Sequence, residues 1–300
     1  MNDATPTTRS YHIGPHGFIA DTLPAGLYLV ATPIGNLGDV SIRALQTLAG
    51  VNAIYCEDTR VSIKLLDRFG IRNKLKSYHD HNSDHAGHAI ISDINAGHAI
   101  ALCSDAGTPL ISDPGFPLVR DCLAAGLKVE ALPGACALLP ALQLSGFPTD
   151  RFCFLGFLPQ RHNERLKFLR AVEARAETVV LYESPYRILA TLADMQEILA
   201  ERRLSVSREI SKLHEETLRG TSHEIALVLA AKPSIKGEFV IVVAAIERPP
   251  DIFSDTEIQN AIEAMLTDHT AGKTASLVSK KYGLPRDEVY ARILAFKGKA

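Results

Sequence analysis

Four short polar clusters carry most of the side chains in this sequence that could perform acid–base or binding chemistry. They are Glu57-Asp58-Thr59-Arg60, Ser104-Asp105, Tyr182-Glu183-Ser184 and Ser207-Arg208-Glu209. Each cluster directly follows an apolar run that is typical of a buried strand. Open α/β sheets bind ligands beyond the carboxyl ends of their strands, so these clusters are expected to converge on one cleft. The alternative is that each cluster is a solvated helix start, where Asp, Glu and Ser are favoured.

The segment from Ser104 to Gly115 is the most unusual of these strand ends. It contains Gly107, Pro109 and Pro114, which either free or restrict the backbone. Simple connections between a strand and a helix have about 2–6 residues, and this one is longer. We therefore predict a ligand-binding loop, with a long connection of ordinary turn residues as the alternative.

Common cofactor signatures are absent from the sequence. The dinucleotide fingerprint GxGxxG, the phosphate-binding GxxxxGK[ST] loop and the GxSxG nucleophile elbow do not occur. Among His79, His81, His85 and His88, only His81 and His85 have the i, i+4 spacing of a helical metal site, and no third-ligand signature accompanies them. We predict no metal, and a polar substrate loop or a surface histidine cluster explains these residues better. A cofactor held by backbone amides and small side chains in an interdomain cleft remains open.

Strands and helices alternate through the first half of the chain, which predicts a mostly parallel sheet. Apolar runs at 26–32, 51–56, 98–103 and 127–132 are the predicted strands, and Ser41 is a candidate cap of the first helix. The second half has strand patterns at 152–156, 178–182, 204–207 and 238–245 with fewer clear helices, which predicts a mixed sheet. The fold class is therefore α/β.

The 300 residues suggest about two domains and an appendage. We predict a flexible tail over 1–24, an N-terminal α/β domain over 25–145, a second α/β domain over 146–248 and a C-terminal domain over 251–300. The last begins beyond a Pro-Pro linker and holds three short helical patterns that resemble a helix-turn-helix unit. Residues 270–300 contain seven Lys and Arg against two Asp and Glu. Such a basic appendage indicates a nucleic-acid contact, and a solvated helical face is the alternative.

Composition narrows the class of protein further. With 46% hydrophobic and 22% charged residues, the chain can build a large packed core, and its net charge of −2 means that any basic partner surface must be local. Five cysteines without CxxC spacing indicate reduced cytoplasmic thiols. The apolar runs are shorter than the ~18 residues that a membrane span needs, and residues 1–24 lack the pattern of a secretory signal. We therefore expect a cytoplasmic protein without a membrane partner.

Five motifs occur in a specific order along the chain. They are LVATPIGNLGD at 29–39, CEDTR at 56–60, SDAGTP at 104–109 with DPG at 113–115, LPGA at 132–135, and YESP at 182–185. Together they resemble the tetrapyrrole methylase (class III methyltransferase) superfamily, in its ribosomal RNA branch, from about Gly26 to Ile246. The resemblance implies two α/β domains with a cofactor cleft between them and a small C-terminal helical domain. It also implies S-adenosylmethionine-dependent 2′-O-methylation of a cytidine in the decoding centre of 16S rRNA, by a homodimer that acts on the small ribosomal subunit.

The resemblance also implies which residues line the cofactor cleft. By motif position these are Pro33, Ser104, Asp105, Ala106, Gly107, Leu110, Ala135, Cys136, Ala137 and Tyr182.

Methyl transfer to a hydroxyl requires a base, and the sequence leaves its identity open. Candidates are Glu57, Asp58, His79, Asp80 and Glu183, and we place the Glu57–Arg60 loop nearest the ribose, so the predicted catalytic set is Glu57, Asp58, Arg60 and Glu183. Residues that would hold RNA phosphates are Arg60, Lys64, Arg187, Arg208 and Lys212. The alternative for Asp58 and Arg60 is a structural ion pair.

One departure from the superfamily pattern bears on the substrate. Relatives that make tetrapyrroles usually have a GxGPGD-like first loop, where this chain has Thr32-Pro33-Ile34-Gly35-Asn36. This difference favours RNA over a corrinoid or porphyrin. A tetrapyrrole (precorrin-type) small-molecule methyltransferase and a ligand-sensing DNA-binding regulator, suggested by the C-terminal helices, stay as alternatives.

Overall fold

A computed structural model describes residues 9–80, 82–246, 254–282 and 284–297 of the chain. They fall into two compact units, of which the first ends at Ile246 and the second starts at Glu247. The α/β domains predicted over 25–145 and 146–248 therefore lie within a single compact unit. That unit contains two five-stranded sheets.

The first described residues form a hairpin, so the prediction of a flexible tail over 1–24 is wrong for them. Strands β1 (Ser10–Ile13) and β2 (His16–Ile19) pair antiparallel. Tyr11 is 2% exposed and lies in the core of the first sheet, and its ring stacks on Phe18 with the centroids 5.3 Å apart. This hairpin was missed because each strand has only four residues, which is too short for a polar and apolar alternation to identify a strand.

The segment from residue 26 to 145 alternates strands and helices, as predicted. Its elements are β3 (Gly26–Val30), α1 (Ile42–Gly50), β4 (Ala53–Cys56), α2 (Thr59–Arg68), β5 (Leu75–Ser77), α3 (Ser83–Asn95), β6 (Ala99–Cys103), α4 (Phe116–Ala124), β7 (Val129–Leu132) and α5 (Leu138–Ser145). The strands form an all-parallel sheet in the order β5-β4-β6-β3-β7. Apolar side chains pack on both of its faces, which explains why β4 and β6 read as continuous apolar runs.

Side-chain caps set the starts of two helices in this segment. The Ser41 Oγ accepts a hydrogen bond from the Ala44 N–H at 3.0 Å and begins α1, as predicted. The Asp58 carboxylate accepts from the Arg60 N–H at 2.8 Å and begins α2. Both caps satisfy N–H groups that have no partner inside the helix.

The second sheet is mixed, as predicted. Its elements are β8 (Phe152–Phe157), α6 (His162–Glu173), β9 (Thr178–Glu183), α7 (Ile188–Leu199), β10 (Leu204–Arg208), β11 (Glu216–Gly220), α8 (Ser222–Ala230) and β12 (Phe239–Val243). The strand order is β11-β10-β12-β9-β8, with β8 parallel to β9 and the other pairs antiparallel.

Helix α5 packs on the second sheet although the prediction placed it in the first domain. Alternate residues of β12 face opposite sides, so Ile241 packs with α6, α7 and α8 while Val242 packs with Leu138 and Leu142 of α5. The chain therefore crosses between the sheets before α5, and the predicted boundary at residue 145 falls one helix late.

The second compact unit contains three helices, as predicted. They are α9 (Asp255–Leu266), α10 (Ala271–Tyr282) and α11 (Arg286–Lys297). They enclose their own small core, which consists of Ile258, Ile262, Ala275, Val278, Val289 and Ile293. In the part of the chain that is described, no helix combines the length and the apolar character needed to cross a bilayer.

Candidate cofactor and substrate cleft

The polar segments predicted to converge do so at one edge of the first sheet. The register aligns Val30 with Cys103 and Leu132, and Cys103 with Cys56. All four residues end their strands, so the loops that follow them leave the sheet side by side. The loops beginning at Ala31, Glu57, Ser104 and Pro133 therefore form one rim.

The loop from Ser104 to Gly115 is tied firmly to the end of β3. Thr32 and Gly107 exchange two backbone hydrogen bonds of 2.8 and 2.9 Å. The Thr32 hydroxyl donates to the Ser104 carbonyl at 3.1 Å, and the Ser104 hydroxyl donates to the Gly107 carbonyl at 3.1 Å. Gly107 has a φ of +86°, which favours glycine, and a Cβ there would make a tight contact of 3.3 Å with the Ile34 side chain.

The turn after β7 is held against the same loop. The Thr108 hydroxyl donates to the Ala135 carbonyl at 2.9 Å. Gly134 passes so close to Ala31 that a Cβ would lie 2.5 Å from the Ala31 Cβ. Backbone, rather than side chains, therefore forms much of this wall of the cleft.

Four residues other than glycine adopt left-handed backbone in loops at this cleft. They are Leu110 (φ 71°), Ser112 (φ 67°), Glu209 (φ 52°) and Ser211 (φ 68°). Such conformations cost about 1–3 kcal/mol each and concentrate at functional sites. The backbone of these loops is therefore strained at these four residues.

Two cavities lie along this rim, and residues from both sheets line the first. It has a volume of about 250 Å³ and is lined by Ile34, Ala106, Gly107, Thr108, Ile111, Ser112, Asp113, Cys136, Ala137, Phe157, Tyr182, Glu183, Ser184, Pro185, Glu238, Phe239 and Val240. The second measures about 350 Å³ and is lined by Thr32, Pro33, Ile34, Gly35, Leu37, Val61, Ser62, Lys64, Leu65, Ser104, Asp105, Ala106, Lys212 and Glu238. Ile34, Ala106 and Glu238 border both, so the two cavities are neighbours in one cleft.

Most of the residues that the sequence assigned to a cofactor lie in this cleft. Ala106, Gly107, Cys136, Ala137 and Tyr182 line the first cavity, and Pro33, Ser104, Asp105 and Ala106 line the second.

Leu110 and Ala135 line neither cavity. The Leu110 side chain packs against the core of the first sheet and against Gly115. Ala135 contributes the carbonyl that holds Thr108. Both therefore shape the loops, and motif position alone could not separate this role from direct contact.

The dimensions and chemistry of the first cavity fit an adenosyl group. Its walls combine small residues and exposed backbone with the rings of Phe157 and Tyr182, whose centroids are 5.6 Å apart. A Cβ on Gly107 would intrude on Ile34. An apolar slot with a few convergent polar groups is typical of small-molecule sites.

Asp58 and Arg60 form a local ion pair, which matches the structural alternative. The Arg60 guanidinium lies 2.6 Å from the Asp58 carboxylate, and its hydrogen bonds hold the pKa of Asp58 down at about 2. The Asp58 backbone N–H donates to the Asp105 carboxylate at 2.8 Å. Asp58 therefore joins two loops and caps α2, and its carboxylate is too weak a base to take a hydroxyl proton.

Glu183 does not have the geometry expected of a catalytic carboxylate. It is 1% exposed, and it accepts hydrogen bonds from the Ser184 N–H and the Thr191 hydroxyl, each at 2.7 Å. The Arg187 guanidinium lies 2.7 Å from the same carboxylate. Its oxygens are thus engaged in anchoring the loop after β9, and Glu183 positions this wall of the cleft.

Glu57 and Asp113 are the carboxyl groups with raised pKa values here. Partial burial and the charge of Asp105 raise the pKa of Glu57. Burial and then the charge of Glu57 raise the pKa of Asp113 to about 6. Sequence analysis did not single out Asp113, although it stands in the DPG motif of the predicted ligand-binding loop, because the carboxylates that face it come from distant parts of the chain.

Phe157 and Glu238 also line the cleft, and sequence analysis did not single them out because no recognised motif contains them. Phe157 follows a bulge in β8, and Glu238 precedes β12. Lys212 reaches the second cavity from the loop after β10, where its ammonium lies 2.9 Å from Glu209 and 3.2 Å from Glu238. The charged run Lys236-Gly237-Glu238, directly before the last strand, is the sequence feature that could have indicated Glu238.

Several predicted phosphate ligands have acidic partners. Arg187 pairs with Glu183, and Arg208 lies 2.7 Å from Glu216. Lys212 pairs with Glu209 and Glu238. Arg60 is 88% exposed at its side chain despite its ion pair, and Lys64 lines the second cavity. Arg60 and Lys64, on the outer face of α2, remain the better candidates to meet a polyanion.

The histidine segment lies along the same edge of the first sheet. His81 falls outside the described residues, so the predicted His81–His85 relation has no structural description. Within the described ranges, no group of three or more His, Cys, Asp or Glu side chains is arranged to hold a metal ion.

Comparison with known proteins identifies relatives of the whole chain. Residues 26–226 match the profile of the tetrapyrrole (corrin/porphyrin) methylases. The ribosomal RNA small subunit methyltransferase I of Mesorhizobium japonicum is 42% identical over 286 residues, which are 95% of this chain and 97% of that protein. The protein of the same name from Haemophilus influenzae is 43% identical over 88% of this chain and 94% of its own length.

Solved structures share the fold at lower sequence identity. Diphthine synthase superposes with a TM-score of 0.55 at 14% identity, over 73% of this chain and 89% of its own. The uroporphyrin-III C-methyltransferase of Thermus thermophilus, complexed with S-adenosylhomocysteine, gives a TM-score of 0.50 at 18% identity, over 72% and 96%. The predicted fold class is confirmed, and the chain belongs to the tetrapyrrole (corrin/porphyrin) methylase family, in its group of ribosomal RNA small subunit methyltransferases I.

Proposed function

We propose that this enzyme transfers a methyl group from S-adenosylmethionine to the ribose 2′-hydroxyl of a cytidine in 16S rRNA, in the decoding centre. The observation that carries the proposal is the 42% identity, over nearly the full length, to a ribosomal RNA small subunit methyltransferase I. The two-sheet cleft supports it, because a folded adenosyl cofactor and an extended nucleic acid need a slot with an open mouth. When bound, S-adenosylmethionine supplies an electrophilic methyl group.

The cofactor would lie in the first cavity. Gly107, Cys136 and Ala137 would approach it with backbone, and Phe157 and Tyr182 would cover it from the second sheet. The loop anchors described above hold these groups before any ligand arrives. Such positioning supplies much of the rate of an in-line displacement, because the reacting atoms meet already aligned.

The RNA would approach over the outer face of α2 and the loop after β9. Arg60 and Lys64 offer charges for phosphates there. Tyr186 follows the cavity-lining Pro185 and is 96% exposed, so its ring is available for stacking on an unpaired base. A cytidine splayed out of its helix would present its ribose at the mouth of the cleft.

The second compact unit is proposed as an additional RNA contact. Lys273, Lys280, Lys281 and Arg286 lie on α10 and α11, whereas Arg292 is paired with Asp255 and Glu288. The homodimer that the resemblance implies and the cytoplasmic location that the composition predicts belong to this proposal as well. Sedimentation of the purified protein tests whether it is a homodimer.

Two measurements test the proposal in sequence. Calorimetric titration with S-adenosylmethionine should give binding by the wild-type protein, and Gly107→Val should abolish it because a branched side chain would collide with Ile34. Gly126→Val is the matched control, since Gly126 also has positive φ but has no neighbour near its Cβ position. The wild-type protein failing to bind would reject the proposal.

The substrate is tested by mapping 2′-O-methyl groups in 16S rRNA from a deletion strain. One cytidine of the decoding centre should lose its methyl group and regain it when the gene is restored. An unchanged methylation pattern would exclude this substrate. The alternative of a tetrapyrrole substrate predicts, instead, that removal of residues 247–300 leaves activity intact.

A further inference from the structure

Asp113 occupies a distinctive position in the cleft. It lines the first cavity, and it also borders a small void together with Glu57 and Ser104. It follows Ser112, whose φ of 67° is strained, and precedes Pro114 and Gly115, which lead into α4. The backbone is therefore conformationally restricted on both sides of Asp113.

The charged groups around Asp113 come from several elements. Glu57 faces it from the loop after β4, Asp105 from its own loop, and Glu238 from the segment before β12. Ser104 acts in the opposite direction and lowers the pKa of Asp113, and Tyr182 of β9 lies close enough to be influenced by its charge. Burial and these like charges raise the pKa of Asp113 to about 6. Near neutral pH it is thus mostly ionised and a stronger base than an ordinary carboxylate.

Other carboxylates of the cleft are engaged elsewhere. Asp58 is paired with Arg60, and Glu183 is buried with three partners. Asp105 accepts the Asp58 N–H, and Glu238 pairs with Lys212. Glu57 is exposed and faces Asp113 across the small void.

We propose that Asp113 is the general base of the methyl transfer and that Glu57 positions and tunes it. This inference rests on the proposed function. The ribose oxygen forms a bond to the methyl carbon while the carbon–sulfur bond breaks and its electron pair stays on sulfur. The hydroxyl proton passes to a carboxylate oxygen of Asp113 and is released to water afterwards. Asp113 lines the cavity proposed for the cofactor together with Ser184 and Pro185, which belong to the loop over which the RNA is proposed to approach.

The test measures single-turnover methyl transfer to small-subunit rRNA between pH 5 and 9, together with calorimetric affinity for S-adenosylmethionine. For the wild type, the rate should rise with pH up to an inflection near 6 and then level off. Asp113→Asn should lower the plateau roughly 100-fold or more and remove the inflection, with cofactor affinity within about threefold of wild type. Asp113→Glu should recover part of the rate, because it restores a carboxylate.

Glu57→Gln tests how the charge of Glu57 affects the ionisation of Asp113. Removing a negative charge makes ionisation of Asp113 easier, so the inflection should move to lower pH. Carbon-13 NMR titration of the Asp113 carboxyl group should show the same displacement without any substrate. Asp121→Asn, an identical change on the exposed face of α4, should leave both the profile and the rate as in the wild type.

The possible failures are distinguishable. If the wild-type enzyme methylates rRNA and folded Asp113→Asn keeps the rate and the inflection, the assignment of Asp113 is wrong and the proposed function stands. If the NMR titration places the Asp113 pKa near 4, the assignment is also wrong. If the wild-type enzyme transfers no methyl group to any rRNA while binding the cofactor, the proposed function fails and the assignment fails with it.

Discussion

Glu57, Asp105, Asp113 and Glu238 place four carboxyl groups along a cleft that we expect to receive a polyanion. Burial, and then repulsion between neighbouring carboxylates, raises the pKa values of Glu57 and Asp113, whereas Lys212 holds the pKa of Glu209 below its usual range at the neighbouring loop. Arg60 and Lys64, the cations proposed to meet the RNA, lie on α2. Charges that attract RNA are therefore separated from charges suited to accept a proton.

The raised pKa of Asp113 predicts a pH-dependent effect of its replacement on stability. A carboxyl group whose pKa rises on folding, from 3.8 to about 6, favours the folded state at low pH and loses that contribution as pH rises through 6. The full difference corresponds to ~3 kcal/mol, which partial solvent exposure reduces to about 1 kcal/mol. Near pH 4, Asp113→Asn should thus have the same free energy of unfolding as the wild type. At pH 8, its free energy of unfolding should be about 1 kcal/mol higher than that of the wild type. Urea unfolding at pH 4 and at pH 8 measures these free energies. A variant that is less stable than the wild type at pH 8 would contradict the prediction.

A second prediction at the residue scale separates the anchoring role of Glu183 from catalysis. Glu183→Gln leaves the Arg187 guanidinium, whose side chain is 23% exposed, without its carboxylate. Breaking such a pair costs about 3–5 kcal/mol. Thr191→Val removes one hydrogen bond to the same carboxylate and should cost about 1–2 kcal/mol. Denaturant unfolding compares the two variants, and a fully stable Glu183→Gln enzyme with a reduced rate would instead restore Glu183 as a catalytic candidate.

At the scale of elements, the N-terminal hairpin closes part of the core of the first sheet. Tyr11 is buried, and the His12 N–H donates to the Phe69 carbonyl at 2.7 Å, which joins β1 to the end of α2. Because α2 also carries Arg60 and begins at the Asp58 cap, the hairpin supports an element of the site from its opposite end.

Replacement of Tyr11 tests this support. Tyr11→Ala should lower the free energy of unfolding by about 3–5 kcal/mol, as for other large aromatic residues in cores. Phe18→Ala removes the ring stacked on Tyr11, but Phe18 is 42% exposed, so it should cost about 1 kcal/mol or less. Thermal and denaturant unfolding measure both. Equal effects of the two changes would mean that the hairpin contributes no more than surface packing.

At the scale of the whole molecule, the two compact units have separate cores. The clusters of the first unit involve described residues from 11 to 243, and that of the second involves residues from 258 to 293. Because the residues that line both cavities belong to the first unit, cofactor binding and the RNA contact proposed for the second unit are separable by truncation.

Truncation after Ile246 is therefore expected to preserve cofactor binding and weaken RNA binding. Affinity for S-adenosylmethionine should stay within about twofold of wild type, since the cleft is intact, while affinity for rRNA should fall about tenfold as phosphate contacts are lost. In the full chain, Lys280→Glu combined with Lys281→Glu should reproduce the loss, and Glu263→Gln on α9 serves as its control. Calorimetry and filter binding measure these affinities. Unchanged RNA affinity would leave the second unit without this role.

Local pattern was enough to predict most strands of the two five-stranded sheets and the order of the loops. Apolar runs identified β3, β4, β6 and β7, and the position of Ser41 identified the start of α1. The motifs located most residues of the cleft, because parallel strands bring their carboxyl ends to one edge whatever the details of packing. These features depend on backbone periodicity and on short-range hydrogen bonds, which neighbouring residues determine.

Only the tertiary structure decided which side chains meet. It turned Glu183 inward onto Arg187, assigned α5 to the second sheet and brought Glu57 and Glu238 to Asp113. A carboxylate has the same local sequence signature whether its partner is an arginine or another carboxylate. Its pKa, and with it the capacity to take a proton, arises from groups far away in the chain, because electrostatic interaction follows distance in space rather than separation in sequence.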